Sequence, residues 1–128
     1  MTKEGFTKHQ QFAFDFCLKY LPEYKEMIER QIENATIEAD YSPHYCILTF
    51  KYAVPPISIN DVKFNAPVSL IVSNNSSNAK YPIEFLLHFS EGVLEQFEYY
   101  SADLGSIDII DICTSCTDIE LRFSFRLT

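Results

Sequence analysis

The chain has 128 residues, 47% of them apolar and 22% charged, and a mean hydropathy near zero. That is the profile of one soluble globular domain, residues 1–128. A chain of this length buries roughly two-thirds of its unfolded surface, so its core needs neither disulfides nor a metal. An aromatic share of 15%, from 11 Phe and 8 Tyr, excludes disorder for most of the sequence. The formal charge of −8 disfavours nucleic acid and anionic membrane as partners.

The charge is unevenly placed. Residues 1–80 carry nine acids and eight bases, whereas residues 81–128 carry nine acids against only Arg122 and Arg126. An acidic half of this kind attracts cationic partners and speeds their encounter; the plainer reading is that it keeps a small domain dispersed in water. The opening MTKEGFTKHQ lacks the apolar stretch of a signal peptide, and no run approaches the roughly 20 apolar residues of a membrane-spanning helix. A cytoplasmic location is the expectation. There, Cys17, Cys46, Cys113 and Cys116 read as reduced thiols rather than as a disulfide framework.

Thr7-Lys8-His9-Gln10 has the spacing of a capping box, which predicts a helix start at Thr7. Ala13, Phe16, Cys17 and Tyr20 then form one helical stripe, although the alternation of Phe12, Phe14 and Phe16 also suits a strand. Pro22 fits the first position of a second helix, with Glu23 near its positive end and Tyr24, Ile28, Ile32 and Ala35 along one face. Glu26 and Arg30 form an i,i+4 pair, and Asn34 is a suitable left-handed stop.

Beyond Asn34 the period changes to two. Ala35–Asp40 and Tyr45–Tyr52 read as a hairpin joined by Tyr41-Ser42-Pro43-His44. Asn60-Asp61 marks a turn, Val68–Val72 a short strand, and Ser73–Lys80 a polar loop. Ile83–Phe89 and Val93–Tyr100 flank Ser90-Glu91-Gly92, read as a three-residue connection with Gly92 in the left-handed position. Ile107–Ile112 is a further strand. In the last strand Ile119, Leu121, Phe123, Phe125 and Leu127 alternate with polar residues. Helices first and strands afterwards predict an α+β domain. Its two N-terminal helices would pack on one face of a mainly antiparallel, twisted sheet of about five to seven strands.

Chemistry is weakly marked. A three-residue connection pairs Phe89 with Val93 and puts Glu84 directly across from Glu98, with His88 and Tyr100 on the same face. Two opposed carboxylates suit an acid/base couple or a socket for a partner's Lys or Arg, unless Arg122, Arg126 or Lys51 neutralises them. Cys113-Thr114-Ser115-Cys116 lies between strands rather than at a helix N-terminus, the wrong context for a redox pair, and reads as a turn with bystander thiols. Zinc would need further ligands such as His44 and Cys46, without the spacing that gives such a site force. The three glycines, at 5, 92 and 105, form no phosphate loop or nucleophile elbow. No cofactor, metal or catalytic residue is expected.

The stretch from Ile83 to Asp103, an apolar strand, an acidic-Gly turn at Glu91-Gly92, then Leu94, Phe97, Glu98 and Tyr100, resembles small bacterial α+β proteins associated with polymorphic or contact-dependent toxins. Some of that family look like immunity proteins. The pattern departs at Ser101-Ala102-Asp103-Leu104-Gly105, where a tighter acidic-Gly turn would be expected. The resemblance implies a non-enzymatic inhibitor of a cognate protein toxin, and it brings no catalytic residue. Charge then selects Glu84, Glu98, Asp103, Asp108 and Asp111 for the partner's basic cleft, with Tyr99 or Tyr100 as an aromatic anchor. Two other readings stand beside it. One is a small-ligand-binding or enzymatic domain whose helix pair and sheet enclose a pocket near Glu84, His88 and Glu98. The other is an interaction module that docks through its edge strands.

Overall fold

Thr7 opens the first helix as its spacing predicts. Its hydroxyl accepts from the Gln10 N–H while the Gln10 side chain accepts from the Thr7 N–H, completing the capping box of α1 (Lys8–Leu18). The computed structural model describes residues 3–42, 44–73, 83–101, 113, 116 and 118–124. Phe14, Phe16, Cys17 and Leu18 turn inward from α1, so the helical stripe prevails over the alternating phenylalanines.

The second helix departs from expectation at both ends. α2 (Lys25–Ile32) starts after Pro22, which occupies the turn closed by the Tyr24 N–H on the Leu21 carbonyl at 3.0 Å. Tyr24 is held there because its ring packs on Phe64 at 4.6 Å and its hydroxyl donates to Asp61 at 2.6 Å. Asn34 is not left-handed; Glu91 is the positive-φ residue other than glycine among the described residues. Instead Lys3, only 7% exposed, donates through Nζ to the carbonyls of Ala35 at 2.7 Å, just past the helix, and of Glu33, its C-cap residue, at 3.4 Å.

The remainder is one antiparallel sheet. Its strands are β1 (Thr36–Ser42), β2 (Tyr45–Lys51), β3 (Val68–Ser73), β4 (Ile83–Ser90), β5 (Val93–Ser101) and β6 (Asp118–Phe123), in the spatial order β1-β2-β5-β4-β3-β6. A 3₁₀ turn over Val62–Asn65, capped by Asp61, leads into β3 and inserts the fully buried Phe64 between Tyr24 and Phe89. The sheet's inner face presents Cys46, Leu48 and Phe50 of β2, Phe97 and Tyr99 of β5, Phe85 and Leu87 of β4, and Leu70 of β3. Both helices pack there. Phe14 meets Phe97 edge-on at 5.3 Å, and Phe16 reaches Phe85 at 6.1 Å. Such aromatic contacts add about 0.5–1.5 kcal/mol each beyond the area they bury. The two-layer α+β arrangement is therefore the one the sequence order predicts. No described helix is long and apolar enough to cross a membrane.

Candidate acidic sheet face

The side chains that alternate away from the helices form the outer face, and the strand registers place them in rows. One row runs Asp40, Ile47, Glu98, Leu86, Ser69, Arg122; the next runs Ser42, Tyr45, Tyr100, Glu84, Ile71, Glu120. Glu38, Thr49, Gln96 and His88 make a third. Among the described residues this face holds the carboxylates Glu38, Asp40, Glu84, Glu98, Asp118 and Glu120 against two permanent cations, Lys51 and Arg122. Half-buried Ile47, Leu86 and Ile71 lie between them, each beside at least one carboxylate in its row.

Glu84 and Glu98 do not face each other. The β4–β5 connection is a two-residue turn, with Ser90 paired to Val93 and left-handed Glu91 and Gly92 at its apex (φ 49° and 80°). Positive φ at both central positions matches the right-handed strand twist. A register shift between His88 and Phe89 then makes Glu95 the extra residue of β5. Together these move the pairing by two residues from the expected one. Glu84 lies opposite Tyr100, Leu86 opposite Glu98, and Leu87 opposite Phe97 rather than Glu95. A shift of two preserves the face, so Glu84, His88, Glu98 and Tyr100 do share one side, but the opposed acid/base couple is replaced by two separate contacts. Tyr100 donates its hydroxyl to Glu84, and His88 Nε2 lies 3.2 Å from Glu98 Oε1. The hydrogen bond to Glu84, followed by burial and the charges of Glu84 and Glu98, pushes the Tyr100 phenol up to about 12.

Of the cations expected to neutralise the pair, the two described, Arg122 and Lys51, have other carboxylates as their close partners, although the charge of Glu84 also acts on Arg122. Arg122 makes a two-point contact with Glu120 at 2.8 and 3.0 Å, which raises the guanidinium pKa and lowers that of the carboxyl. Lys51 lies 3.9 Å from Glu38.

Tyr99 is a correction. It is 6% exposed, points into the inner face and packs on Phe85 and Phe97, so it cannot anchor a partner; Tyr100 is half-buried on the outer face. Asp103, Asp108, Asp111, Arg126, the Ser73–Lys80 loop beyond Ser73 and the Ile107–Ile112 strand lie outside the described residues. The pocket expected between helices and sheet is also corrected. That space is filled by the aromatic core, and Glu84, His88 and Glu98 lie on the opposite face. A hollow of about 530 Å³ does adjoin His88 at the end of the sheet, bordered by Thr49, Lys51, Phe89, Glu95 and Gln96.

Two features escaped the sequence reading. Gln31, 4% exposed, donates to the carbonyls of Ile57 at 2.9 Å and Gly92 at 2.7 Å and accepts from the Leu94 N–H at 3.0 Å. It clamps the segment after β2 onto the β4–β5 turn. That segment and α2 border a second hollow of about 600 Å³, lined by Met27, Asn34, Tyr52, Val54, Pro55 and Ile57. The legible signal was the exposed apolar run Ala53–Ile57 broken by two prolines.

The thiols face inward. Burial pushes Cys17 and Cys46 up, and pushes Cys113 up to about 12, the reverse of an activated nucleophile. Cys46 accepts from Gln10 at 3.6 Å beneath α1. Among the described residues, no group of three or more His, Cys, Asp or Glu side chains is placed to hold a metal ion. Comparison with protein families, characterised proteins and solved structures finds no match to this chain.

Proposed function

We propose that this chain is a non-enzymatic inhibitor that binds a cationic protein, a toxin with a basic active-site cleft, through the outer face of its sheet. The observation that carries this reading is the composition of that face, six carboxylates against Lys51 and Arg122 around an apolar centre of Ile47, Leu86 and Ile71. Apolar side chains supply burial at the middle of a contact, and the carboxylates steer a basic partner and set its register. Tyr100, hydrogen-bonded to Glu84, is an aromatic anchor whose rotamer is already restrained. The resemblance of the β4–β5 hairpin to immunity-type proteins points the same way.

The test is survival of cells that express the C-terminal segment of the reading frame upstream of this chain's gene, with and without the chain itself; absence of any toxicity counts against the inhibitor reading. Protection and co-purification are the expected result, and Glu84→Lys with Glu98→Lys should slow association with the purified toxin about tenfold or more at low salt, with less effect at high salt. Death in both cultures refutes the inhibitor reading. An unchanged association rate refutes the outer face.

The hollow beside His88 supports a second reading, a small-ligand site lined by His88, whose ring is positioned by Glu98 from outside the hollow. Under that reading Glu98→Ala removes ligand uptake without weakening any protein complex.

A further inference from the structure

We infer that the outer edge of β1 receives an extended strand of the cationic partner, one that carries basic residues on one face and apolar residues on the other. This rests on the proposal above that the partner is cationic. β1 is the terminal strand of the sheet, and among the described residues β2 is its sole strand partner. Five of its seven residues are exposed, while Ile37 on the inner face is half-buried against the core. A terminal strand keeps a row of backbone N–H and C=O groups available for a further strand.

The two faces of β1 specify the occupant. On the outer face stand Glu38 and Asp40, in a strand, TIEADYS, that has no basic residue. Asp40 accepts from the neutral Tyr45 hydroxyl at 3.1 Å, and the cation near this pair, Lys51, lies 3.9 Å from Glu38. On the inner face Ile37, Ala39 and Tyr41 alternate with them; Tyr41 is 69% exposed, beyond the cover of the helices. A strand laid alongside therefore meets acids on one side and an apolar, aromatic row on the other, and cross-strand pairing favours lysine or arginine opposite the first and β-branched or aromatic residues opposite the second. A second copy of this chain fits badly. An antiparallel pair centred on Ala39 would set Glu38 of each copy against Asp40 of the other, and like charges directly opposite destabilise a sheet.

The test uses the full chain and a synthetic peptide of about nine residues in which lysine alternates with valine, titrated at low ionic strength. One control has the same composition with the alternation scrambled. Two more keep the alternation but are N-methylated at every second amide, one in each phase. The expected result is binding about tenfold tighter for the alternating peptide than for the scrambled one, loss in one N-methylated phase, and slowed amide exchange over residues 36–42. Glu38→Lys with Asp40→Lys, both at exposed positions, should erase the preference. Equal binding of all four peptides, removed by Glu98→Lys, overturns the edge proposal and leaves the outer-face proposal standing. Failure of every peptide overturns the edge proposal as well, and if polylysine also fails to bind, the outer-face proposal falls with it.

Discussion

Gly92→Ala is the sharpest perturbation of the fold. A Cβ at this position would lie 2.3 Å from the Ile59 carbonyl oxygen, 2.8 Å from its nitrogen and 3.1 Å from its carbonyl carbon, and all three are backbone atoms that no rotamer change can move. The same junction is tied by the Ile59 N–H on the Gly92 carbonyl at 2.9 Å and the Gly92 N–H on the Phe64 carbonyl at 2.8 Å. It is further tied by Gln31 on the Gly92 carbonyl at 2.7 Å. Holding alanine at φ 80° costs about 1–2 kcal/mol. Relieving the clash means lifting the Ile59 segment, which gives up two or three hydrogen bonds at about 1 kcal/mol each. The expected loss is about 3–5 kcal/mol, read as a lower urea midpoint with an unchanged slope, or as a fall in Tm of roughly 10–20 °C. Glu91→Ala is the companion. Glu91 is also left-handed but already carries a Cβ at that φ, so its replacement adds no clash and should cost under about 1 kcal/mol. If Gly92→Ala costs no more than Glu91→Ala, the Ile59 segment is not seated on the turn and this account of the junction is wrong.

Three further outcomes are expected. Gln31→Leu should cost about 3 kcal/mol in chemical denaturation, because the Ile57 and Gly92 carbonyls and the Leu94 N–H lose their buried partner; a loss below about 1 kcal/mol would show that water replaces the amide. Lys3→Met keeps the apolar stem but leaves the Glu33 and Ala35 carbonyls without their cation, and a loss of about 1.5–3 kcal/mol is expected; an unchanged thermal midpoint would refute the capping role. The Tyr100 phenol is raised from its usual 10.0 to about 12 in the folded chain, so the native state holds that proton more tightly than the unfolded one does. Its contribution is therefore complete below pH 10 and fades as pH rises through about 12. The stability advantage of the unmodified chain over Tyr100→Phe should shrink across that window, and a constant difference would show that the hydroxyl has no bond to Glu84.

Local pattern was sufficient for the element types. The Thr7 capping box, the inward stripe of α1 and the alternation of Ile119, Leu121 and Phe123 each satisfy a short-range requirement, and each appears in the fold where the residues place it. The unreliable positions were those held by distant partners. α2 begins at Lys25 rather than Pro22 because Tyr24 is fixed by Phe64 and Asp61, which lie far along the chain. Its C-cap carbonyl, at Glu33, is met by Lys3, 30 residues away in the chain, and Asn34 takes no left-handed cap.

The candidate site divides along the same line. Side-chain parity is a property of each strand alone, so the sharing of one face by Glu84, His88, Glu98 and Tyr100 was readable from alternation. Register depends on the turn and on the bulge at Glu95, whose one trace in the sequence is the three-residue spacing of Leu94 and Phe97 within an alternating strand. That spacing decided which carboxylate meets which donor. Composition and charge order by themselves determined an acidic α+β domain with a two-period C-terminal half. Only the tertiary structure decided that Tyr99 is core while Tyr100 is surface, that six carboxylates from β1, β4, β5 and β6 gather on one face, and that β1 stands at the edge, because strand order and register are set by contacts between segments remote in the chain.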